Sequence, residues 1–98
     1  MSVIIYSKNN CIYCQKSKEL FKKLNIPYNE ILLNKDDDND TYTLTVSELI
    51  NKYNHKTFPF IIINETFIGG YTELENAYNT LYLHKLLNLE VDNDNDDF

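Results

Sequence analysis

Four short apolar runs alternate with amphipathic segments along this chain, and they predict a mixed α/β fold. The runs are rich in β-branched and aromatic residues and end at polar or turn-forming residues, which is typical of strands. They cover Val3–Tyr6, Tyr28–Leu33, Phe60–Ile63 and Thr66–Ile68. Asn64-Glu65 stands between the last two runs and predicts the two-residue turn of a β-hairpin.

The segment between the first two runs has the apolar spacing of a helix, from Ile12 to about Leu24. Small or apolar residues recur there at i, i+3, i+7 and i+10, so they share one face. These residues are Cys14, Ser17, Phe21 and Leu24. Pro27 ends the helix, because the residue before a proline is driven out of the helical region.

Two further helices are predicted from capping boxes, in which a Thr and a Glu three residues later bind free backbone N–H groups. The boxes are Thr45–Glu48 and Thr72–Glu75. The second helix is predicted to run to Tyr53. The third runs to Leu81 and continues or restarts through Leu87.

The element order is therefore βαβ, then α, then ββ, then α. A parallel crossover followed by an antiparallel hairpin builds a four-stranded mixed sheet with helices on both faces. We predict one domain over residues 1–90, with an acidic, disordered tail over residues 91–98. The Asn34–Asp40 segment is predicted to be a solvated acidic loop.

Charge is distributed unevenly along the chain, whose net charge is −6. Every Asp lies in one of two runs, at residues 36–40 and 92–97. Residues 1–35 carry six Lys against two Glu, a net charge of +4, which favours a small anionic ligand. Nucleic-acid binding is not expected, because the chain has no Arg and its acidic runs would repel phosphate.

No apolar run approaches the roughly 20 residues that a membrane-spanning helix needs, and no signal peptide is recognisable at the N-terminus. We therefore expect a cytoplasmic, reducing compartment and no membrane association. In such a compartment a pair of nearby cysteines is catalytic or metal-binding more often than structural.

The two cysteines, Cys11 and Cys14, form a C-x-x-C motif where a strand passes into a helix. Cys11 is predicted to be the last loop residue, where helix N–H groups and a nearby Lys8 stabilise a thiolate and lower its pKa to roughly 3.5–7.5. Cys14 lies one turn inside the helix and faces the core. Cys11 is thus the predicted nucleophile and Cys14 the resolving thiol.

A zinc half-site is the alternative reading of this motif. Structural zinc usually takes four Cys or His ligands. The chain has one pair of cysteines and two histidines, His55 and His84. We therefore expect no metal.

Three segments together resemble a dithiol glutaredoxin, over Val3 to about Leu87. They are Cys11-Ile12-Tyr13-Cys14 after a strand, Thr57-Phe58-Pro59 before one, and Ile68-Gly69-Gly70-Tyr71-Thr72-Glu73-Leu74 at the last helix. The resemblance implies a thioredoxin-like fold, a cis Pro59 and a groove for glutathione. It implies an enzyme, a glutathione-dependent thiol–disulfide oxidoreductase, that works as a monomer. Its partners would be glutathione as cosubstrate and protein disulfides or glutathionylated proteins.

The resemblance also assigns the glutathione-binding residues. Lys8 would meet a glutathione carboxylate, Tyr13 would line the groove, and Phe58, between Thr57 and Pro59, would pair with the glutathione cysteine through its backbone. The γ-glutamyl end would be held by the helix start, at Gly70, Tyr71, Thr72 and Glu73.

The chain departs from the family pattern at three positions. Ile12 stands where proline is usual, and some family members without that proline bind an iron–sulfur cluster as dimers, which is the alternative function. Phe58 replaces the commoner Val and makes a bulkier groove wall. His55 stands where many glutaredoxins carry a Gln that contacts glutathione; either it contacts the glycyl carboxylate or it is a loop histidine.

Overall fold

The computed structural model describes residues 2–33 and 39–87. Within them the chain forms four strands and four helices. In chain order these are β1 (Val3–Lys8), α1 (Ile12–Lys23), β2 (Asn29–Leu33), α2 (Asn39–Tyr53), β3 (Phe60–Ile63), β4 (Thr66–Gly69), α3 (Tyr71–Asn79) and α4 (Tyr82–Leu86). No helix in these two ranges is long and apolar enough to cross a membrane.

The strands form one mixed sheet in the order β2-β1-β3-β4. β1 runs parallel to β2 and antiparallel to β3, and β3 pairs antiparallel with β4. The predicted α/β fold with a thioredoxin-like, four-stranded mixed sheet is confirmed. Because β1 lies inside the sheet and α1 follows it after a short connection, the cysteine motif is attached to an interior strand.

Alternation along the strands divides the buried side chains between the two faces of the sheet. Ile61 and Ile63 of β3 belong to the main core, which also contains residues of β1, α1, α3 and α4: Val3, Ile5, Phe21, Leu74, Ala77, Leu83 and Leu87. Phe60 and Ile62 point to the opposite face. On that face Tyr53 of α2 stacks on Phe67 of β4, with ring centroids 4.3 Å apart.

The predicted hairpin turn is confirmed at Asn64 and Glu65. Both residues have positive φ, 49° and 69°, as the two central residues of a type I′ turn require. The Asn64 amide gives the turn further support: its Nδ2 donates to the carbonyl of Leu86 at 2.6 Å, and its Oδ1 accepts from the N–H of Ser2 at 2.8 Å.

The first strand is longer than predicted. It continues past Tyr6 to Lys8, because Ser7 and Lys8 pair with Leu32 and Leu33 of β2. The connection to the first helix is therefore shorter than the predicted strand implies, and only residues 9 and 10 lie between β1 and Cys11.

The predicted start of the second helix was wrong. α2 begins at Asn39, so Thr45–Glu48 lies inside the helix and does not cap it. The half-buried stripe begins one turn earlier, at Tyr42, and extends to Val46 at i+4. Residues 39 and 40 of the predicted acidic loop are helical, while residues 34–38 lie outside the described residues.

The capping box predicted at Thr72–Glu75 was also wrong. α3 begins at Tyr71 with Gly70 as its N-cap, and the carboxylate of Glu73 accepts the N–H of Gly70 at 2.7 Å. The restart of the last helix is confirmed: Leu81, with φ of 65°, separates α3 from α4. The predicted tail, residues 91–98, lies outside the described residues.

Candidate active site at the start of the first helix

Cys11 is the N-cap residue of α1, as its position in the sequence predicts. Its Sγ accepts the backbone N–H of Cys14 at 3.2 Å, and the two cysteines form a disulfide. Asn10, with φ of 57°, turns the chain from β1 into the helix. An N-cap side chain lies among the free N–H groups and the partial positive charge of the helix start, which stabilise a negative sulfur.

The two sulfur-bearing residues differ in exposure. Cys11 is half-buried, whereas Cys14 is 1% exposed. Cys14 shares its face of α1 with Ser17 and Phe21, which are fully buried, and Ser17 donates its hydroxyl to the carbonyl of Tyr13 at 2.8 Å. Only Cys11 can therefore be approached by a large substrate without opening the helix–sheet interface.

Two adjoining hollows run from Cys11 past the start of β3 to the start of α3. We call them together the groove. The hollow next to Cys11 has a volume of about 500 Å³, and the one towards α3 about 300 Å³. Their walls contain most of the sequence-predicted site residues: Lys8, Cys11, Tyr13, Thr57, Phe58, Gly70, Tyr71, Thr72 and Glu73. Cys14 does not line the groove. Pro59, buried behind it, follows Phe58 through a cis peptide bond, as the resemblance implies.

Phe58 forms one wall of the groove. Its ring packs edge-on against Phe60, with centroids 5.2 Å apart, and the ammonium group of Lys8 lies 5.4 Å from its centroid. The aromatic ring thus holds the Lys8 charge over the groove, next to Cys11.

Tyr13 and Tyr71 stack across the mouth of the groove, with centroids 6.1 Å apart and an interplanar angle of 24°. Lys16 lies over both rings, its Nζ 5.6 Å from the Tyr13 centroid and 5.8 Å from that of Tyr71. Desolvation, together with the Glu75 carboxylate that accepts its hydroxyl hydrogen, raises the pKa of Tyr71 above its usual 10.0. Lys16 was not among the predicted site residues.

The far end of the groove is shaped by the Gly69-Gly70 pair. Gly69 has φ of 126°, and a Cβ there would lie 2.7 Å from Cγ of Glu73. Glycine therefore lets the Glu73 side chain fold back onto the N–H of Gly70. Glu73 has a structural partner at the helix start as well as a place in the groove wall.

His55 is a loop residue whose side chain lines the groove. Its ring meets Phe60 and Phe67 edge-on, at 5.1 and 5.4 Å between centroids. Its Nε2 lies 3.4 Å from the hydroxyl oxygen of Thr57. The sequence alone left both alternatives open for His55.

A polar network on the other side of the cysteines was missed from the sequence. Ser7, fully buried, donates its hydroxyl to Oε2 of Glu30 at 2.5 Å, and the same oxygen pairs with Nζ of Lys18 at 2.9 Å. These two interactions hold the pKa of Glu30 below its usual 4.5, and the Ser7 hydrogen bond has the larger effect. No group of three or more His, Cys, Asp or Glu side chains suited to a metal occurs within residues 2–33 and 39–87.

Comparison with known proteins shows which family this chain resembles. The Glutaredoxin family profile matches residues 3–68. Glutaredoxin 1 of Rickettsia bellii is 34% identical over 86 residues, which cover 88% of this chain and 86% of that protein. Glutaredoxin-C8 of Oryza sativa is 29% identical over 94 residues, which cover 94% of this chain and 67% of the rice protein.

A solved structure of similar fold is the buckwheat glutaredoxin–glutathione complex. It aligns with a TM-score of 0.79 at 27% identity, covering 88% of this chain and 76% of the buckwheat chain. The chain spans only about half to two-thirds of the length of several curated relatives that it matches. The profile match covers well over half of the chain, and the fold agrees with it. The chain therefore belongs to the glutaredoxin family.

Proposed function

We propose that this protein is a glutathione-dependent thiol–disulfide oxidoreductase whose nucleophile is Cys11. The observation that carries the proposal is the position of Cys11: it caps α1, forms a disulfide with a buried partner and lines an open groove. Membership of the glutaredoxin family supports the same chemistry. The similar buckwheat protein was crystallised as a glutathione complex, which supports glutathione as the ligand of the groove.

The groove offers the groups that a glutathione molecule requires. Glutathione is a small peptide with two carboxylates, and Lys8 and the N–H groups at the start of α1 supply positive charge beside the sulfur. Phe58 and Tyr13 supply apolar walls for its cysteine. In this proposal Gly70, Tyr71, Thr72 and Glu73 hold the γ-glutamyl end, and Thr57 and Pro59 shape the backbone on which the peptide lies.

The reaction is thiol–disulfide exchange. The Cys11 thiolate attacks the glutathionyl sulfur of a protein–glutathione mixed disulfide. A bond forms between Cys11 and glutathione, the bond to the protein sulfur breaks, and the protein leaves as a thiolate that takes up a proton. A second glutathione thiolate attacks the same glutathionyl sulfur, which releases Cys11 and glutathione disulfide.

Protein disulfides follow a second branch of the same chemistry. Here the Cys11 thiolate attacks one sulfur of the substrate disulfide, and the other substrate sulfur leaves as a thiolate that takes up a proton. Cys14 then attacks the Cys11 sulfur and displaces the remaining substrate sulfur as a second thiolate. The product is the Cys11–Cys14 disulfide that the structure contains. Two glutathione molecules then reduce it.

The two single cysteine variants test this function. Cys11→Ser should abolish reduction of a glutathione mixed disulfide, because no thiolate remains in the groove. Cys14→Ser should retain much of that activity and lose reduction of protein disulfides. Equal loss of the glutathione-linked activity in both variants would contradict the proposal and indicate an obligatory dithiol cycle.

A further inference from the structure

A second cavity borders the cysteine pair on the side away from the groove. Its volume is about 580 Å³, within the roughly 300–1,000 Å³ typical of ligand pockets. The end of β1, the first turns of α1 and the end of β2 form its walls. We call it the β2-side cavity. Beside the two cysteines and Ile12, its lining consists of Lys8, Asn9, Asn10, Gln15, Lys18 and Leu32.

Cys11 and Ile12 line both the β2-side cavity and the groove. Ile12 is 70% exposed, so it forms a ridge between the β2-side cavity and the groove. A substrate whose sulfur reaches Cys11 therefore arrives at their junction. In the proposed function glutathione lies in the groove, which leaves the β2-side cavity for the chain that carries the reacting cysteine.

The lining of the β2-side cavity has a definite chemistry. Two lysines and three side-chain amides surround a half-exposed Leu32, and none of the described lining residues carries a carboxylate. Lys18 is held there by its ion pair with Glu30, whose carboxylate offsets the Lys18 charge, so the excess positive charge comes from Lys8 and the free N–H groups at the start of α1. Positive charge around an open aliphatic surface is complementary to a segment with carboxylates next to an aliphatic side chain.

We propose that the β2-side cavity binds the segment next to the reacting cysteine of a protein substrate, and that this segment pairs an aliphatic residue with Asp or Glu. The proposal rests on the proposed function, because it assigns a place to the protein half of the mixed disulfide. It gives the enzyme a preference among protein substrates that glutathione binding alone would not supply.

Two glutathionylated peptides that differ only in their flanks provide the test. One carries Leu-Glu pairs beside its cysteine and the other Leu-Lys pairs. At low ionic strength the protein should reduce the acidic peptide with a kcat/KM about fivefold higher, and added salt should diminish the difference. The kcat/KM for the mixed disulfide of glutathione with 2-mercaptoethanol reports on the groove alone, because the 2-mercaptoethanol half carries no flanking segment.

Variants locate the preference. Leu32→Glu should remove the preference for the acidic peptide and leave the kcat/KM for the small mixed disulfide unchanged. Leu44→Glu is the matched control, because Leu44 is 62% exposed on α2 and lies outside the cavity lining. It should retain the preference.

Several results would overturn the proposal. These are equal kcat/KM values for the two peptides, or equal effects of Leu32→Glu and Leu44→Glu. A preference for the acidic peptide that emerges only after Asp36, Asp37 and Asp38 are changed to Asn would indicate that this chain's own acidic run is the ligand of the cavity. Failure to reduce even the small mixed disulfide would contradict the proposed function, which separates the two hypotheses.

Discussion

Ser7 and Glu30 share a 2.5 Å hydrogen bond between neighbouring parallel strands, just below the cysteine motif. Ser7 is fully buried, and the Glu30 side chain is 30% exposed. The carboxylate therefore joins the sheet to α1, since it also pairs with Lys18. This link lies beside the β2-side cavity and supports the wall from which Lys18 projects.

The Ser7–Glu30 bond should make stability depend on pH in the acid range. Because the folded state lowers the Glu30 pKa below its usual 4.5, the stabilisation is fully present above that value and is lost as pH falls through the lower folded pKa. Urea unfolding between neutral and acid pH should show Glu30→Gln losing less stability than the parent on acidification. Ser7→Ala removes the hydrogen bond that lowers the Glu30 pKa most. It should lower the free energy of unfolding by about 1 kcal/mol at neutral pH and make that free energy depend less on pH in the acid range. Parallel pH curves for all three proteins would contradict this.

Substitution of Gly69 should be more costly than substitution of Gly70. Gly69→Ala puts a Cβ in a left-handed backbone conformation and 2.7 Å from Glu73 Cγ, so we expect a loss of about 1–3 kcal/mol. Gly70→Ala would meet nothing nearer than 3.5 Å, an ordinary contact. Thermal or urea unfolding measures both variants, and an equal loss for the two would show that the Glu73 contact is not the cause.

Removal of the Lys16 charge should weaken the reaction with glutathione mixed disulfides. Lys16 lies over the stacked Tyr13 and Tyr71 at the groove mouth, where its charge attracts an anionic substrate. Lys16→Gln should lower kcat/KM about two- to fivefold at low salt, with a smaller effect at high salt. Lys23→Gln, at the far end of the same helix, is the control. Equal effects of the two substitutions would point to net charge and not to the position of Lys16.

In the reduced protein, Cys11 should be alkylated as a thiolate near neutral pH. Its N-cap position places helix N–H groups around the sulfur, so the apparent pKa from alkylation rates should fall below the value of about 8.5 for a free cysteine. Mass spectrometry should find the modification at Cys11 before Cys14, which is buried. A kinetic pKa near 8.5 would undercut the role of Cys11 as nucleophile.

Much of the active site could be predicted because its parts are local. The C-x-x-C spacing places Cys11 at a helix start and Cys14 on the buried face one turn later. The Asn64-Glu65 turn likewise depends on two adjacent residues. The starts of α2 and α3 could not be predicted in the same way, because a Thr-x-x-Glu pattern also occurs inside helices. At α3 the Glu73 carboxylate accepts the N–H of Gly70, and no capping box forms at Thr72–Glu75.

By itself, the amino-acid sequence determined the order of strands and helices, the unequal positions of the two cysteines and the resemblance to glutaredoxins. These follow from periodicity and short motifs, which act over a few residues. Only the tertiary structure decided the contacts between segments distant along the chain. Glu30 meets Ser7 because β2 returns parallel to β1, and His55 enters the groove because Phe60 and Phe67 hold its ring. Such contacts depend on strand register and packing, which no local pattern of residues encodes.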